Sequence, residues 1–389
     1  MIRSIHPLVT EVSVVDQREG HLFESQFPTP DGITYNTWLV RGEGKIALLD
    51  TVDSEFCSGW LQELSSVLGE KKLDYLVISH MEPDHSGSIE QLLQAYPETA
   101  LVGNAKTFGM LNQFLPDVKS AERIVVKEGD TLDLNGASLQ FYMAPMVHWP
   151  EVMFAYEASS KTLFSADAFG TFGAQEKAGE EWADEALRYY ANIVGKYGPQ
   201  VAGVLKKVSA LSVDRICPLH GPSLADLKME RALQLYGAWA QWQPTEEGVA
   251  IVNACFHGNT LKAAQALQTR LEANGVVTEL INLDPLNLSY AVAAAFRRPK
   301  IVLCCTTYNG GYAPFMEAFL TALKGKGLQG RTFALIENGS WAPMAAKHMR
   351  LAIEELKNCT VLPQQLTLRS SLSPSNLEEL EEFVRALEV

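Results

Sequence analysis

The stretch Ile78-Ser79-His80-Met81-Glu82-Pro83-Asp84-His85 constrains this chain more than any other part of the sequence. It ends the apolar run 76–78, which has the β-branched content of a buried strand. Two imidazoles and two carboxylates therefore follow a strand end within six positions. These donors suit iron, manganese or zinc, and the absence of thiolate argues against a structural zinc finger. A solvated, acid-rich turn has the same residue types, so the motif alone leaves both interpretations open.

Three further residues each follow an apolar run in the first 220 residues. His148 follows 144–147, Asp167 follows 163–166 and His220 follows 216–219. A single polar residue in such a place is usually a hydrogen-bonded residue of the fold. Because strands deliver the side chains at their ends to one rim of a sheet, all three together with the first motif favour a metal site.

The pattern of the chain changes after a linker rich in Pro, Gly and charge at 243–248. The run 249–252 predicts a strand, and a helix is predicted from Leu261 to Ala273. The runs 277–281, 301–305 and 332–336 predict further strands. This alternation is typical of a doubly wound parallel sheet. Before the linker, β-like runs mix with helices. They include a hairpin around 42–44, a tight hairpin turn predicted at Asn135-Gly136 and a helical stretch from about 180 to 207.

Three loops of the second region follow predicted strands, where a parallel sheet binds its ligands. Backbone N–H groups and the helix N-terminus in the first loop could bind a flavin phosphate, and aromatic side chains in the other two could lie against an isoalloxazine. Gly-Asn-Thr is also an ordinary helix cap, and Tyr308 or Trp341 could be core aromatics. The candidate flavin-binding residues are Cys255, Phe256, His257, Gly258, Asn259, Thr260, Thr306, Thr307, Tyr308, Asn309, Gly310, Gly311, Asn338, Gly339, Ser340 and Trp341.

Charge and composition narrow the function further. A net charge of -14 disfavours a general nucleic-acid binder. No apolar run approaches the roughly 18 residues that span a bilayer, and the first seven residues lack the apolar part of a secretory signal. We therefore expect a cytoplasmic protein without membrane segments. The six cysteines include no C-x-x-C pair, so a rubredoxin-type iron centre within this chain is excluded.

The motif H-x-E-x-D-H, followed by His148, Asp167 and His220, resembles the metallo-β-lactamase superfamily signature H-x-H-x-D-H with later His, Asp and His. Glu82 replaces the second histidine, and this variant resembles the flavodiiron proteins, or A-type flavoproteins. The resemblance covers essentially all 389 residues. It implies an α/β fold: a metallo-β-lactamase-like αβ/βα sandwich in residues 1–246, then a flavodoxin-like doubly wound parallel sheet in residues 247–389.

The resemblance also implies two non-haem irons and FMN. His80, Glu82 and His148 would bind one iron, Asp84 and His220 the other, and Asp167 would bridge them. His85 is expected outside the direct ligands, in a hydrogen-bonding or proton-supplying role. In the first flavin loop, Cys255 stands where flavodoxins usually have Ser or Thr, and His257 is also unusual.

The implied activity is reduction of dioxygen to water, of nitric oxide to nitrous oxide, or of both. An external donor would supply the electrons, either a rubredoxin or a nicotinamide-dependent reductase. A head-to-tail homodimer or a dimer of dimers would bring one chain's FMN to the partner's irons. The rival interpretations are a zinc-dependent hydrolase with a flavodoxin-like binding module, and a gas-sensing flavoprotein without turnover.

Overall fold

The computed structural model describes residues 1–118, 121–174 and 182–388. The chain divides into two compact units. The first comprises Met1–Phe23, Thr29–Tyr190 and Pro199–Gly237, and the second comprises Glu24–Pro28, Ala191–Gly198 and Ala238–Val389. The domain boundary between residues 246 and 247 stays a prediction.

Residues 1–240 contain strands and helices that alternate irregularly along the chain. The strands are β1 (Ile2–His6), β2 (Val9–Asp16), β3 (Leu22–Phe23), β4 (Phe27–Pro28), β5 (Ile33–Arg41), β6 (Ile46–Leu49), β7 (Tyr75–Val77), β8 (Ala100–Gly103), β9 (Arg123–Val125), β10 (Thr131–Asp133), β11 (Ser138–Met143), β12 (Met153–Glu157), β13 (Thr162–Phe164), β14 (Arg215–Cys217) and β15 (Leu224–Ala225). The helices are α1 (Cys57–Leu68), α2 (Pro83–Ser86), α3 (Ile89–Ala95), α4 (Ala105–Phe114), α5 (Trp182–Tyr189), α6 (Gly198–Val208) and α7 (Asp226–Trp239).

The first unit contains two mixed sheets. One has the order β1-β2-β5-β6-β7-β8-β9, and the other has the order β10-β11-β12-β13-β14-β15. Fully buried Trp38 of β5 packs against Phe164 of β13, with ring centroids 6.2 Å apart, so side chains of the two sheets meet in one core. Two sheets with interspersed helices are the architecture expected for this region.

Parallel pairing places several strand ends at common rims of these sheets. In the first sheet, β6, β7 and β8 are parallel, and the motif at 78–85 follows β7. In the second sheet β13 is parallel to β14, and these strands precede Asp167 and His220 respectively. His148 lies in the connection between β11 and β12. The sheets thus deliver all four segments that were expected to provide ligands.

The local predictions were confirmed where turn chemistry is strong. Antiparallel β5 and β6 form the hairpin around 42–44, and Asn135-Gly136 forms the β10–β11 turn with φ of 57° and 83°. The helical stretch expected over 180–207 is present in its described part, from residue 182 on, but it is not one regular α-helix. After α5 the helix widens to a π-type turn at Tyr190–Val194 and tightens to a 3-10 turn at Gly195–Tyr197, and α6 then begins at Gly198. Glycine before Pro199 favours such an interruption. Residues 180 and 181 lie outside the described residues.

The second unit is built on a parallel sheet. Its strands are β16 (Val249–Ala254), β17 (Thr278–Asn282), β18 (Lys300–Tyr308), β19 (Gly311–Tyr312), β20 (Thr332–Asn338) and β21 (Thr360–Leu368). Its helices are α8 (Asn259–Ala273), α9 (Leu288–Arg297), α10 (Pro314–Gly325), α11 (Ala345–Glu354) and α12 (Pro374–Glu388). The order β17-β16-β18-β20-β21 is all parallel, while β19 pairs antiparallel with β18. This is the flavodoxin-like strand order, in which ligands bind beyond the carboxyl ends of the strands.

Within the described part of the chain, no helix combines the length and the apolar character that crossing a bilayer would require.

Candidate metal and flavin sites

A buried aspartate, Asp50, stabilises the turn after β7 through hydrogen bonds to its backbone. Asp50 follows β6, and its Oδ1 accepts hydrogen bonds from the backbone N–H groups of Ser79 (2.7 Å) and His80 (3.2 Å). Pro83 begins the short helix α2 immediately after this turn. Asp50 therefore fixes the backbone of the segment from which His80, Glu82, Asp84 and His85 project.

Four of the predicted ligands form a first group. His80, Glu82, His148 and Asp167 each offer a donor atom within 4.8 Å of the others. Glu82 Oε2 lies 3.1 Å from His80 Nε2 and 3.1 Å from His148 Nε2. Asp167 Oδ2 lies 3.0 Å from His148 Nε2 and 3.5 Å from His80 Nε2. Two imidazole nitrogens and two carboxylates thus converge on one point.

A second group consists of Asp84, His85 and His220, again with donor atoms within 4.8 Å of one another. His85 Nε2 lies 3.1 Å from His220 Nε2, and Asp84 Oδ2 lies 3.3 Å and 3.4 Å from these two nitrogens. Asp167 reaches this group with its other oxygen, since Oδ1 is 3.2 Å from His85 Nε2. The His85 ring therefore lies within the second group, and its outer role stays a prediction.

The donor atoms fit a pair of cations. Both side-chain oxygens of Asp84 and Oδ1 of Asp167 are buried, and among the described residues no donor meets them in good hydrogen-bond geometry, although ligand-type histidine nitrogens lie 3.2 to 3.4 Å from Asp84 Oδ2 and Asp167 Oδ1. Buried carboxylate oxygens are normally hydrogen-bonded or bound to a metal. Imidazoles and carboxylates without thiolate suit iron, manganese or zinc, and the anionic oxygen of Glu82 favours redox-active iron.

Within this cluster the neighbouring opposite charges raise the pKa of His148 and lower the pKa values of Glu82 and Asp167. Burial alone would lower the pKa of His148, but the Asp167 and Glu82 carboxylates outweigh it and raise that pKa to about 9. Burial would raise the pKa of Glu82, but hydrogen bonds with His148 and His80 hold it at about 2. The pKa of Asp167 lies well below its usual range because His80 and His85 outweigh its burial. Metals must displace protons from these imidazoles, so we expect acid to weaken metal binding.

Several supporting residues were missed by sequence reasoning. Glu151 accepts a hydrogen bond from His80 Nδ1 (2.8 Å), and His220 Nδ1 donates to the carbonyl oxygen of Thr34 (2.7 Å). Asn36 Nδ2 donates to the carbonyl oxygens of Pro218 (3.0 Å) and Gly221 (2.7 Å) on either side of His220. These residues come from distant parts of the chain, and no local pattern marks them.

Aromatic rings enclose both groups of ligands. The rings of Phe23, Tyr35 and Tyr189 lie 5.4, 5.6 and 5.5 Å from the His220 ring, measured between centroids. Trp149 packs edge-on against His80 at 5.2 Å. Trp149 thus covers one side of the His80 ring, which is fully buried, and limits the access of water to it.

Phe169 stabilises the turn that carries Asp167. It is buried in the left-handed conformation (φ 67°), its N–H donates to Tyr236 Oη (2.5 Å), and its ring stacks on that of Tyr236 at 4.2 Å. The turn that carries Asp167 is therefore fixed against helix α7.

We expect Asp50 to impose a pH dependence on the stability of the metal-free chain. Burial raises the pKa of Asp50 to about 6, although the charge of His85 and the hydrogen bonds from Ser79 and His80 oppose the rise. The unfolded chain releases this proton near pH 4, so the folded chain binds the extra proton between about pH 4 and pH 6, and stability falls as the pH rises through this window. Asp50→Asn should remove up to about 3 kcal/mol of that fall.

Urea unfolding of both metal-free proteins at the two ends of this window checks the prediction. Asp214→Asn, which changes an exposed carboxylate beside Lys161, is the control and should unfold as the wild type does. Equal losses of stability in the wild type and in Asp50→Asn would contradict the prediction.

The three predicted loops of the second unit meet around one cavity of about 560 Å³. The predicted residues that line it are Cys255, Phe256, His257, Asn259, Thr260, Thr306, Thr307, Tyr308, Asn309, Gly310, Asn338, Gly339, Ser340 and Trp341. Gly258 and Gly311 lie in the same loops but are not among the lining residues. Ala342, Met344 and Ser370 also line the cavity. Ala342 lies within the third predicted loop but was not among the candidate residues, and Met344 and Ser370 lie beyond the predicted loops.

The two alternative interpretations of these loops have different outcomes. Gly258 is the N-cap residue of α8, as the helix-cap interpretation requires, whereas neither Tyr308 nor Trp341 lies in the core. Helix α8 begins after Gly258 (φ 77°), and no side chain caps it, so its first N–H groups remain available to an anion. Trp341 is 89% exposed and Tyr308 is 46% exposed, so neither is a core aromatic. An uncapped helix and exposed rings around one cavity are what a phosphorylated flavin requires.

Hydroxyl and amide groups connect the loops to one another. Thr260 Oγ1 lies 2.9 Å from Thr306 Oγ1 and accepts a hydrogen bond from Asn338 Nδ2 (3.3 Å). Thr307 Oγ1 accepts from the N–H groups of Met344 (3.0 Å) and Ala345 (3.2 Å) at the start of α11. Thr307 therefore holds the third loop in place.

Comparison with known proteins gives one consistent result. The family model described as "ODP family beta lactamase" matches residues 33–221. Rubredoxin-oxygen oxidoreductase of Megalodesulfovibrio gigas is 31% identical over 330 residues, which cover 82% of this chain and 81% of that protein. Putative diflavin flavoprotein A 3 of a Nostoc species is 33% identical over 313 residues, 77% of this chain and 52% of that protein. The chain spans about half the length of the diflavin relatives that it matches.

Solved structures agree over the whole chain. The rubredoxin oxygen:oxidoreductase from Desulfovibrio gigas superposes with a TM-score of 0.90 at 25% identity and covers 100% of this chain and 99% of its own. The flavodiiron protein from Giardia intestinalis has a TM-score of 0.89 at 22% identity, with 100% and 97% covered, and shows likeness of fold.

Proposed function

Because this chain belongs to the flavodiiron protein family, which includes rubredoxin-oxygen oxidoreductase, we propose that it reduces dioxygen to water, nitric oxide to nitrous oxide, or both, at a non-haem diiron site supplied with electrons by FMN. The observation that carries the proposal is Asp167, whose two carboxylate oxygens face two separate groups of ligands. A second unit that surrounds a cavity with three flavin-type loops supports it.

We assign the metal ligands by group. His80, Glu82 and His148 would hold one iron, and Asp84 and His220 the other, with Asp167 between them. The place of His85 Nε2 beside Asp84 and His220 supports His85 as a further ligand of the second iron. When bound, the two irons and FMN together supply the four electrons that dioxygen needs, or the two that a pair of nitric oxide molecules needs.

Side chains of this chain orient and shield that site. The carboxylates of Glu82, Asp84 and Asp167 would offset most of the charge of two ferrous ions, and the aromatic rings beside His220 and His80 limit access of water. A low-polarity surround strengthens every electrostatic contact inside it and favours an apolar gas over water.

The FMN would lie in the cavity of the second unit. The first N–H groups of α8 would bind its phosphate, and the side chains of Asn259 and Thr260, which line the cavity, would add donors. Tyr308 and Trp341 supply rings for the isoalloxazine. Cys255 replaces a hydroxyl donor and His257 adds an imidazole, so both would tune the affinity for the flavin and its potential.

The remaining parts of the proposal concern partners. Electrons tunnel efficiently only over short distances, and the metal ligands and the flavin loops belong to separate units of the chain. A head-to-tail homodimer, or a dimer of dimers, would bring one chain's FMN to the irons of its partner. The external donor would be a rubredoxin or a nicotinamide-dependent reductase, the location cytoplasmic, and the domain boundary between residues 246 and 247.

Metal analysis and gas consumption test the proposed function. The purified chain should contain about two irons and one FMN, and with a reduced donor it should consume dioxygen, nitric oxide or both under controlled gas. Zinc without flavin would support a hydrolase instead. Iron and flavin without catalytic gas consumption would support a sensor.

A further inference from the structure

A buried carboxylate lies directly behind one of the ligand histidines. Glu151, in the connection between β11 and β12, is fully buried, as is His80. Its Oε1 accepts hydrogen bonds from His80 Nδ1 (2.8 Å) and from the N–H of Met81 (2.8 Å). An ionised carboxylate can only accept, so Nδ1 carries the hydrogen and, in the neutral ring, the lone pair lies on Nε2. Nε2 is the atom that faces Glu82 and Asp167.

The same residue joins two loops that carry ligands. Glu151 lies three positions after His148, and through its side chain it binds the turn at His80 and Met81. Its own carbonyl oxygen accepts from Asn104 Nδ2 (2.6 Å), and the Asn104 side chain also caps helix α4. Glu151 therefore connects the ring of His80 to the loop that carries His148.

The histidines of the second group have different hydrogen-bond partners at Nδ1. The Nδ1 of His220 donates to the carbonyl oxygen of Thr34 at 2.7 Å, which is a neutral acceptor. Among the described residues, Nδ1 of His85 has no hydrogen-bond partner. His80 of the first group is thus supported by an anion, whereas His220 of the second group is supported by a neutral acceptor and His85 by none among the described residues.

A charged acceptor makes an imidazole a stronger electron donor to its metal than a neutral acceptor does. We propose that Glu151 is a positioning residue that aims Nε2 of His80 at its iron and makes the two iron positions electronically unequal, so that the iron bound by His80 is the harder one to reduce. This inference rests on the proposed diiron function. Glu151 would act on this iron through His80, without binding the iron itself.

Two substitutions at Glu151 separate orientation from charge. Glu151→Gln keeps the size and one acceptor oxygen but removes the negative charge, so both irons should stay bound while the reduction potential of one iron rises. In Mössbauer spectra of the iron-loaded full chain, the signal of that iron should change and the other should not. Glu151→Ala removes the acceptor, and the affinity for one iron should fall by about 10- to 100-fold in chelator competition.

Glu157→Gln is the matched control. Glu157 is equally buried, lies at the end of β12 and accepts from the N–H groups of Ser159 (3.1 Å) and Ser160 (2.6 Å), without contact to a histidine. Its substitution should leave both iron signals and both potentials as in the wild type. A purely structural role for Glu151 predicts instead that the two glutamine variants behave alike.

Two results would overturn the inference. One is that Glu151→Gln and Glu151→Ala both keep the wild-type spectrum, potentials and iron affinity. The other is that Glu151→Gln shifts both irons equally. A wild-type chain that holds two irons but consumes neither gas would refute the proposed function alone, because the comparison of spectra and affinities needs no turnover.

Discussion

Asp167→Ala is expected to abolish gas reduction and to weaken iron binding by more than about 100-fold, since even the outer partners of metal ligands contribute about 10- to 100-fold. The reason is geometric. Asp167 Oδ2 lies 3.0 Å from His148 Nε2 in the first group, and Oδ1 lies 3.2 Å from His85 Nε2 in the second. Its loss therefore removes a carboxylate from both iron positions at once. Iron content after chelator challenge and the rate of gas consumption measure the effect.

Two further variants make this result specific. Asp167→Asn keeps the shape and one oxygen but not the charge, so it should retain more iron than the alanine variant. Asp214→Ala makes the same truncation at an exposed residue beside Lys161 and should leave iron and turnover unchanged. If Asp167→Ala kept full turnover, the bridging role would be wrong.

Gly339→Ala should weaken FMN binding by about 10-fold or more, equivalent to at least about 1.4 kcal/mol. Gly339 lines the flavin cavity, and a Cβ at this position would lie 2.6 Å from Cα and 2.9 Å from N of Pro343. Backbone atoms cannot rotate away as a side chain can, so the third loop must shift. The loop also carries Trp341, and its displacement disturbs the wall of the cavity. Titration of FMN into the deflavinated chain gives the affinity.

Gly325→Ala is the matched control for this effect. Gly325 ends helix α10, and a Cβ there meets nothing within 4 Å among the described residues. This variant should bind FMN as the wild type does. Equal FMN affinity for Gly339→Ala and the wild type would show that the third loop does not contact the flavin.

The sequence was sufficient to predict the strands that carry the ligands. The motif after β7, Asp167 after β13 and His220 after β14 each follow an apolar run, and parallel pairing brings such strand ends to common rims. The same logic predicted three loops around one flavin cavity. Strong turn signals such as Asn135-Gly136 also gave correct hairpins.

Features that depend on contacts between distant residues could not be predicted in this way. Glu151 meets His80 across 71 positions, and Thr34 meets His220 across 186. His85 turns its Nε2 toward Asp84 and His220 because α2 begins at Pro83, a detail of one short turn. The sequence likewise indicated a helical stretch over 180–207 but not the changes of helical type within it, which the glycines at 195 and 198 allow.

The exposure of Trp341 gives the protein an optical reporter of its own. Of its seven tryptophans, Trp38, Trp60 and Trp239 are fully enclosed, whereas Trp341 is 89% exposed on the rim of the flavin cavity. A solvent-exposed indole emits at longer wavelength than a buried one. An isoalloxazine ring bound beside Trp341 would quench the fluorescence of this indole. Red-edge fluorescence should therefore follow occupancy of the cavity without any added dye.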